Sequence, residues 1–305
     1  MIRIFNKTYD ADTQKIDARG MTIDKIPNEI KEFIFLRELI LDDNKIEEIS
    51  DNLSYLINLQ KLCLNENQIK KIPNSLGNLI NLQKLCLGFN KIDEISDSLS
   101  NLINLEKLCF IGNKIKKIPD SLGNLINLQK ISLELNEIEE IPNSFCNLIN
   151  LQEVDISHNK IKKIPDSLHN IINLQILNLD DNKIEEISNN FGNMANLQIL
   201  RLKDNKINTF PNSFFNINNL REIDISYNQI KEIPISIINL RRLNKFYCGG
   251  NPIENLNPIV RRFLYMIQNR GGNIHNVYSD SQNVHTSSIQ KCIKESLIKI
   301  LSFSL

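Results

Sequence analysis

Residues 59–81 read LQKLCLNENQIKKIPNSLGNLIN, and close variants of this stretch recur along most of the chain. An asparagine returns every 23 residues, with an isoleucine two places after it, without one insertion or deletion. These asparagines, which we call the ladder asparagines, are Asn44, Asn67, Asn90, Asn113, Asn136, Asn159, Asn182, Asn205, Asn228 and Asn251. Self-similarity at a fixed period of this length predicts a stacked repeat architecture, because each unit needs its neighbours to bury its apolar side.

Within one repeat, Leu62 and Leu64 alternate with residues that point the other way, which is the period of a short strand. Asn67 follows the strand, and its amide carries both a donor and an acceptor for backbone groups that a bend leaves free. Pro73 and Gly77 disfavour a long helix in the return segment. Stacking therefore predicts parallel strands on one face and return segments on the other.

The pattern LxxLxLxxNxIxxIPxxLxNLxN resembles the leucine-rich repeat over roughly residues 13–256. Its 23-residue, proline-containing form is similar to the intracellular class of these proteins, as found in Ras-signalling scaffolds. The resemblance implies an α/β solenoid, a curved horseshoe with a parallel concave sheet, an irregular or 3-10 convex side and a short helical C-terminal cap. It also implies that the concave strand face binds another protein.

We expect three regions along the chain. Residues 1–35 form an N-terminal flank and a degenerate capping repeat in which Met21 replaces the ladder asparagine, and residues 36–256 form an array of about ten repeats. Residues 257–305 form a helical cap or tail, with helices predicted over 258–270 and 288–301. A small effector module or a docking helix is the alternative for this tail, whose residues 273–285 are similar to tails of leucine-rich-repeat proteins of giant DNA viruses.

Composition gives further bounds on partners and location. Lys plus Arg and Asp plus Glu number 36 each, so no bulk charge favours nucleic acid or an anionic membrane. The first residues contain no apolar signal-peptide core, and no run approaches the length of a membrane span. The cysteines are scattered, as expected of free thiols in a reducing compartment such as the cytoplasm, or the host cytoplasm for a viral protein. They are Cys63, Cys86, Cys109, Cys146, Cys248 and Cys292.

Charged pairs of alternating sign follow the repeated isoleucine. They are Glu47-Glu48, Lys70-Lys71, Asp93-Glu94, Lys116-Lys117, Glu139-Glu140, Lys162-Lys163 and Glu185-Glu186. Neighbouring repeats lie about 5 Å apart, so each basic pair would sit between acidic pairs. Two interpretations stay open: a solvated ion ladder that keeps the repeats in register, and a docking strip for a partner.

The outward strand positions divide by chemistry into two candidate partner-binding groups. The N-terminal group is small and apolar: Cys63, Cys86, Phe89, Cys109, Ile111 and Leu135. The C-terminal group is mostly polar and charged, with His158 and Tyr227 at its edge: Asp155, Asp180, Arg201, Lys203, Asp224 and Tyr247. We expect the apolar group to form an exposed patch that grips a partner and the charged group to orient it. In the alternative, Phe89 and Ile111 fold down against neighbouring repeats.

These patterns favour a non-catalytic, monomeric scaffold for protein–protein interaction, with no cofactor, metal, nucleic acid or membrane among its partners. No phosphate-binding loop, nucleophile elbow or HExxH helix is present. Three cysteines in a line suit neither zinc nor disulfides. The alternatives are a regulatory subunit of an enzyme and the substrate-recognition part of a ubiquitin-ligase-type effector. The second would resemble ligases with a Cys-x-Asp motif, whereas Cys292 is followed by Ile293 and Lys294.

Overall fold

The computed structural model describes residues 1–269 and 273–275. These residues belong to two compact units, which we call unit 1 (residues 1–137) and unit 2 (residues 138–269 and 273–275). The second predicted helix, over 288–301, lies outside the described residues, as does Cys292. Within the described residues, no helix is both long enough and apolar enough to cross a membrane.

Unit 1 opens with an antiparallel hairpin, β1 (Ile2–Ile4) and β2 (Lys7–Tyr9), which packs Tyr9 edge-on against Phe33. Six parallel strands of three residues follow in sequence order. They are β3 (Lys15–Asp17), β4 (Glu38–Ile40), β5 (Lys61–Cys63), β6 (Lys84–Cys86), β7 (Lys107–Cys109) and β8 (Lys130–Ser132). The return segments are 3-10 helices over Asn28–Glu32, Asp51–Tyr55, Asn74–Asn78, Asp97–Asn101 and Asp120–Asn124.

Unit 2 repeats this plan and contains the one α-helix of the described residues. Its parallel strands are β9 (Glu153–Asp155), β10 (Ile176–Asn178), β11 (Ile199–Arg201), β12 (Glu222–Asp224), β13 (Lys245–Tyr247) and β14 (Asn273–His275). Its 3-10 helices are Asn143–Asn147, Asp166–Asn170, Asn189–Asn193, Asn212–Asn216 and Ile235–Asn239. Helix α1 (Pro258–Asn269) buries Val260, Leu264 and Ile267. The predicted stack of parallel strands and 3-10 return segments is confirmed, as is the predicted helix after residue 257.

Each 3-10 return segment begins directly after a serine or a proline. Ser50, Ser96 and Ser188 precede 3-10 helices, and each hydroxyl accepts a hydrogen bond from the N–H two residues later at 3.2–3.3 Å. Proline precedes the other 3-10 helices, because its fixed φ and missing N–H suit a first turn. Gly77 lets the next return segment approach closely, since a Cβ there would lie 2.3 Å from the Ser98 carbonyl oxygen.

The repeated asparagines connect successive repeats. From Asn44 to Asn251, each Oδ1 accepts the backbone N–H of the residue 21 positions earlier at 2.9–3.0 Å. Asn90 illustrates the donors: its Nδ2 donates to the carbonyls of Leu64 in the previous repeat and of Leu87 and Gly88 in its own. One buried amide therefore satisfies backbone groups in two repeats at once. At the first, degenerate repeat, Met21 instead donates its N–H to Asn44.

A second row of asparagines lies on the exposed edge that precedes the strands. Each Nδ2 donates to the carbonyl 24 residues earlier at 2.8–2.9 Å in unit 1, from Asn58, Asn81, Asn104 and Asn127. We call these residues the edge asparagines. They recur with the same period as the ladder, which is the sequence signal that predicts them.

The two rows allow a matched stability test. Asn90→Ala leaves the buried N–H of Ile69 without its acceptor and removes three hydrogen bonds to backbone carbonyls, so we expect it to lower the free energy of unfolding by about 2 kcal/mol. Asn81→Ala removes one exposed hydrogen bond and should cost about 0.5 kcal/mol. Urea titration of both variants measures the difference. Equal losses would contradict the bridging role of the buried row.

Candidate functional site

In unit 1, the side chains of the last residue in successive strands form a closed apolar ridge. Cys63, Cys86 and Cys109 are paired in register on β5, β6 and β7. They pack with Ile40 and Ile111 into one buried cluster, and the partly buried ring of Phe89 packs against it. The three thiols are 0–1% exposed.

The expected exposed apolar patch is therefore wrong for Cys63, Cys86, Cys109 and Ile111. Two glycines supply the physical reason. A Cβ on Gly88 would lie 2.6 Å from Cγ2 of Ile111, and a Cβ on Gly112 would lie 2.6 Å from Cδ1 of Phe89. Both large side chains fold over the space that a neighbouring repeat leaves open, so the alternative in which they fold down describes this face. Leu135 and Phe89 stay partly exposed.

The thiols of this ridge have low reactivity. Burial raises the pKa of Cys109 to about 12. A hydrogen bond with Cys63, together with burial, raises the pKa of Cys86 well above its usual value. The five described cysteines are free and buried. Among the described residues, no group of three His, Cys, Asp or Glu side chains is placed to hold a metal ion.

A row of like charges flanks the ridge in unit 1. Lys61, Lys84, Lys107 and Lys130 are in-register neighbours on β5 to β8. Burial, and also the positive charges of Lys61 and Lys107, lower the pKa of Lys84. Adjacent like charges destabilise a sheet. The row was not singled out from the sequence, although a lysine at the start of four successive strands was the signal.

On the other side of the ridge, Asp42 is a buried acid. Its Oδ1 accepts the backbone N–H of Asn65 at 2.7 Å. Burial raises the pKa of Asp42 to about 6, against the opposing effects of that hydrogen bond and of Arg19. This carboxylate is also a residue that sequence reasoning missed.

The strand face of unit 2 is a hydrogen-bonded polar surface. Asp155 accepts the N–H of Ser157 at 3.1 Å and an amide hydrogen of Asn178 at 3.0 Å. Asp180 accepts the N–H of Lys203 at 2.7 Å. Burial, followed by the charge of Asp224, raises the pKa of Asp180 well above its usual value. These contacts fix the inner part of the face.

Three cations and an aromatic ring stand outward from this surface. Arg201 and Lys245 hold Glu222 between them, with N–O distances of 3.0 and 2.9 Å. Burial opposes these two hydrogen bonds, yet they keep the pKa of Glu222 below its usual value. Tyr227 is 55% exposed and lies over Gly250, where a Cβ would be 2.6 Å from its ring. Lys203 Nζ is 5.5 Å from the ring centre of Tyr227, a cation–π contact.

The predicted site residues thus separate into two groups. Unit 1 brings together Cys63, Cys86, Phe89, Cys109 and Ile111. In unit 2, Asp155, Asp180 and Arg201 interact electrostatically, and Asp224 pairs in register with Tyr247. Of the alternating charge pairs, Lys70 and Glu47 approach to 3.5 Å with both side chains more than 60% exposed. Such a contact contributes about 0–1 kcal/mol.

Comparisons with known proteins bear on this fold directly. A family model described as leucine rich repeat matches residues 103–161, 126–184, 149–207, 172–230 and 195–253, and one for two copies of the repeat matches 57–101. The chain belongs to the leucine-rich repeat family. No curated protein matches it.

Several solved leucine-rich repeat structures are similar to the chain. An internalin, InlF of Listeria monocytogenes, is 26% identical with a TM-score of 0.68, covering 84% of this chain and 78% of its own. The plant peptide hormone receptor RGFR1, solved in complex with RGF2, is 31% identical with a TM-score of 0.68. That match covers 76% of this chain and 38% of the receptor. A Leptospira interrogans leucine-rich repeat protein, 24% identical with a TM-score of 0.61, shares the fold over 82% of this chain and 74% of its own.

The buried acid predicts a pH dependence of stability. The pKa of Asp42 is about 6 in the folded chain and about 4 in an unfolded one, so the folded state binds more protons between these values. The free energy of unfolding should therefore fall as pH rises from 4 to 6. Asp42→Asn keeps the acceptor for Asn65, so it should remove the part of this fall that Asp42 causes and raise stability at pH 7 by on the order of 2 kcal/mol.

Urea titrations between pH 4 and 7 measure this effect. Asp43→Asn removes the same charge at an exposed neighbour and is the control. An Asp42→Asn profile that parallels the wild type would contradict the burial of this charge.

The closed ridge predicts slow thiol chemistry. In a Cys292→Ser background, we expect less than one thiol to react with Ellman's reagent within minutes at pH 8, because the five remaining cysteines are buried. All five should react in denaturant. Rapid reaction of three thiols in the folded protein would contradict their burial and support the exposed patch expected from the sequence.

Proposed function

We propose that this protein is a non-catalytic scaffold that binds a protein partner through the strand face of unit 2. Leucine-rich repeats are a general protein-interaction fold, and the RGFR1 structure holds a peptide hormone. The observation that carries the proposal is the exposed Tyr227 ring beside Lys203, with Arg201 on a strand of the same unit. Tyrosine and arginine dominate the energetics of protein interfaces.

The surroundings of these side chains favour binding at low entropic cost. Gly250 and Lys203 hold the tyrosine ring, and Glu222 holds the guanidinium of Arg201. Side chains that are fixed before binding lose little freedom on binding. Asp181 and Asp204 lie partly exposed at the edge, so the surface presents both signs of charge. We infer that the partner carries a matching mixture of charges around an apolar anchor, since electrostatic complementarity fixes orientation.

A reducing compartment inside a cell is the location that we propose with this function. The five described cysteines are free thiols, and the repeats resemble the proline-containing intracellular class. Free cysteines persist where glutathione keeps thiols reduced.

The proposal predicts which substitutions abolish binding. With the purified chain as bait for quantitative mass spectrometry, we expect a partner retained by the wild type to fall at least tenfold with Tyr227→Ala/Arg201→Ala. The reason is that truncating two interface anchors typically costs about 2 kcal/mol or more. Tyr265→Ala, at an equally exposed tyrosine on α1, is the control and should retain the partner.

The comparison is made on variants whose urea unfolding matches the wild type. A partner that survives the double substitution, yet is lost with Phe89→Asp in unit 1, would place binding elsewhere and contradict the proposal.

A further inference from the structure

Unit 1 carries an exposed apolar stripe on the edge where each return segment turns into the next strand. One isoleucine per repeat lies there, each 49–57% exposed. These residues, which we call the edge isoleucines, are Ile34, Ile57, Ile80, Ile103 and Ile126. Phe35 and Tyr55 broaden the stripe at its start and are also more than half exposed. A contiguous exposed patch of this kind marks an interaction site.

The stripe is held rigidly. The edge asparagines hydrogen-bond the carbonyls of Ile34, Ile57, Ile80 and Ile103 at 2.8–2.9 Å. A short backbone bond also fixes Ile80, whose N–H donates to the Asn78 carbonyl at 2.9 Å. Isoleucine is stiff at χ1, so little entropy remains to be lost when the stripe is covered.

The residues directly before and after each edge isoleucine are uncharged, although 24% of the chain is Asp, Glu, Lys or Arg. The residue after each edge isoleucine is Phe35 or an edge asparagine, and the residue before it is a buried apolar side chain. Covering the stripe therefore desolvates no charge in these adjacent columns. In unit 2 the same position keeps two exposed isoleucines, Ile149 and Ile172, and then runs Ala195, Asn218 and Arg241, so the apolar character ends beyond Ile172.

The spacing of the edge isoleucines favours one kind of binding partner. Its residues recur once per strand, about 4.8 Å apart. An α-helix advances 5.4 Å or so per turn. Over the four intervals between the edge isoleucines, its side chains would therefore fall out of step with the stripe by roughly half a repeat. A strand presents one face about every 6.7 Å and fits worse. A second copy of the same stripe has the same period and interdigitates along the whole length.

We propose that two copies of this chain associate edge to edge through the edge isoleucines, antiparallel about a two-fold axis near Ile80. Such an interface is isologous, as in most homodimers. The two stripes, with Phe35 and Tyr55, bury on the order of 1,000 Å², which is the lower range for a specific interface. The formal net charge is zero, so no long-range repulsion opposes the pairing. The proposed dimer differs from the monomer expected from the sequence.

Light scattering after size exclusion tests the association. At about 50 µM, the wild type should have twice the chain mass of 35.2 kDa, and Ile57→Lys/Ile103→Lys should have the chain mass. Ile235→Lys/Ile259→Lys makes the same change at similarly exposed isoleucines of unit 2 and should stay dimeric. A monomeric wild type, or a dimer that persists in the Ile57→Lys/Ile103→Lys variant, would overturn the proposal.

Cross-linking tests the geometry and does not depend on the lysine variants folding. In a Cys292→Ser background, Ile80→Cys should form a disulfide-linked dimer on mild oxidation, because the axis brings its two copies together. Ile34→Cys alone should not, whereas a mixture of Ile34→Cys and Ile126→Cys chains should. Efficient self-linking of Ile34→Cys would overturn the antiparallel arrangement.

Discussion

The side-chain amide of the ladder asparagine is the interaction on which the rest of the structure depends. Its oxygen takes an N–H from the previous repeat, while its nitrogen serves carbonyls of both repeats, as Asn67 does for Ile46, Leu41 and Leu64. These groups lie at a bend where no ladder of β-sheet hydrogen bonds continues, and leaving them unpaired would cost about 1–3 kcal/mol each. The amide reaches both repeats only when successive strands stay in register, and the constant 21-residue offset of its accepted hydrogen bonds reflects a period of 23 residues without insertions.

A fixed period turns every sequence position into a column of identical backbone environments. The size of the side chains in a column then decides which of them are exposed to solvent. Small thiols about 4.8 Å apart cover one another and leave Cys86 buried, whereas Arg201 and Tyr227 are long enough to project. The same rule exposes one isoleucine per repeat at the edge and places lysines side by side in unit 1. Because the backbone is nearly the same in every repeat, the side chains at each repeated position decide where a partner could bind.

Much of the fold could be predicted from the sequence because it depends on local period and punctuation. The strands, the ladder and α1 follow from alternation, from Asn67 and its equivalents, and from Pro258. Exposure of the candidate site could not be predicted in the same way. Whether Phe89 and Ile111 project or fold down depends on glycines in neighbouring repeats, Gly112 and Gly88, and thus on pairs 23 residues apart. Exposure therefore depends on how the sizes of side chains in neighbouring repeats match. The chemical type of each residue taken alone does not show it.

Amide hydrogen exchange by NMR tests the central claim most directly. The N–H groups of Ile46, Ile69 and Ile92 point at ladder asparagines and at no strand partner. If the ladder holds the repeats together, these amides exchange as slowly as those of the strand residues Leu62 and Leu85, because both open only when repeats separate. Exchange of the three isoleucine amides within seconds, while the strand amides remain protected, would contradict the account.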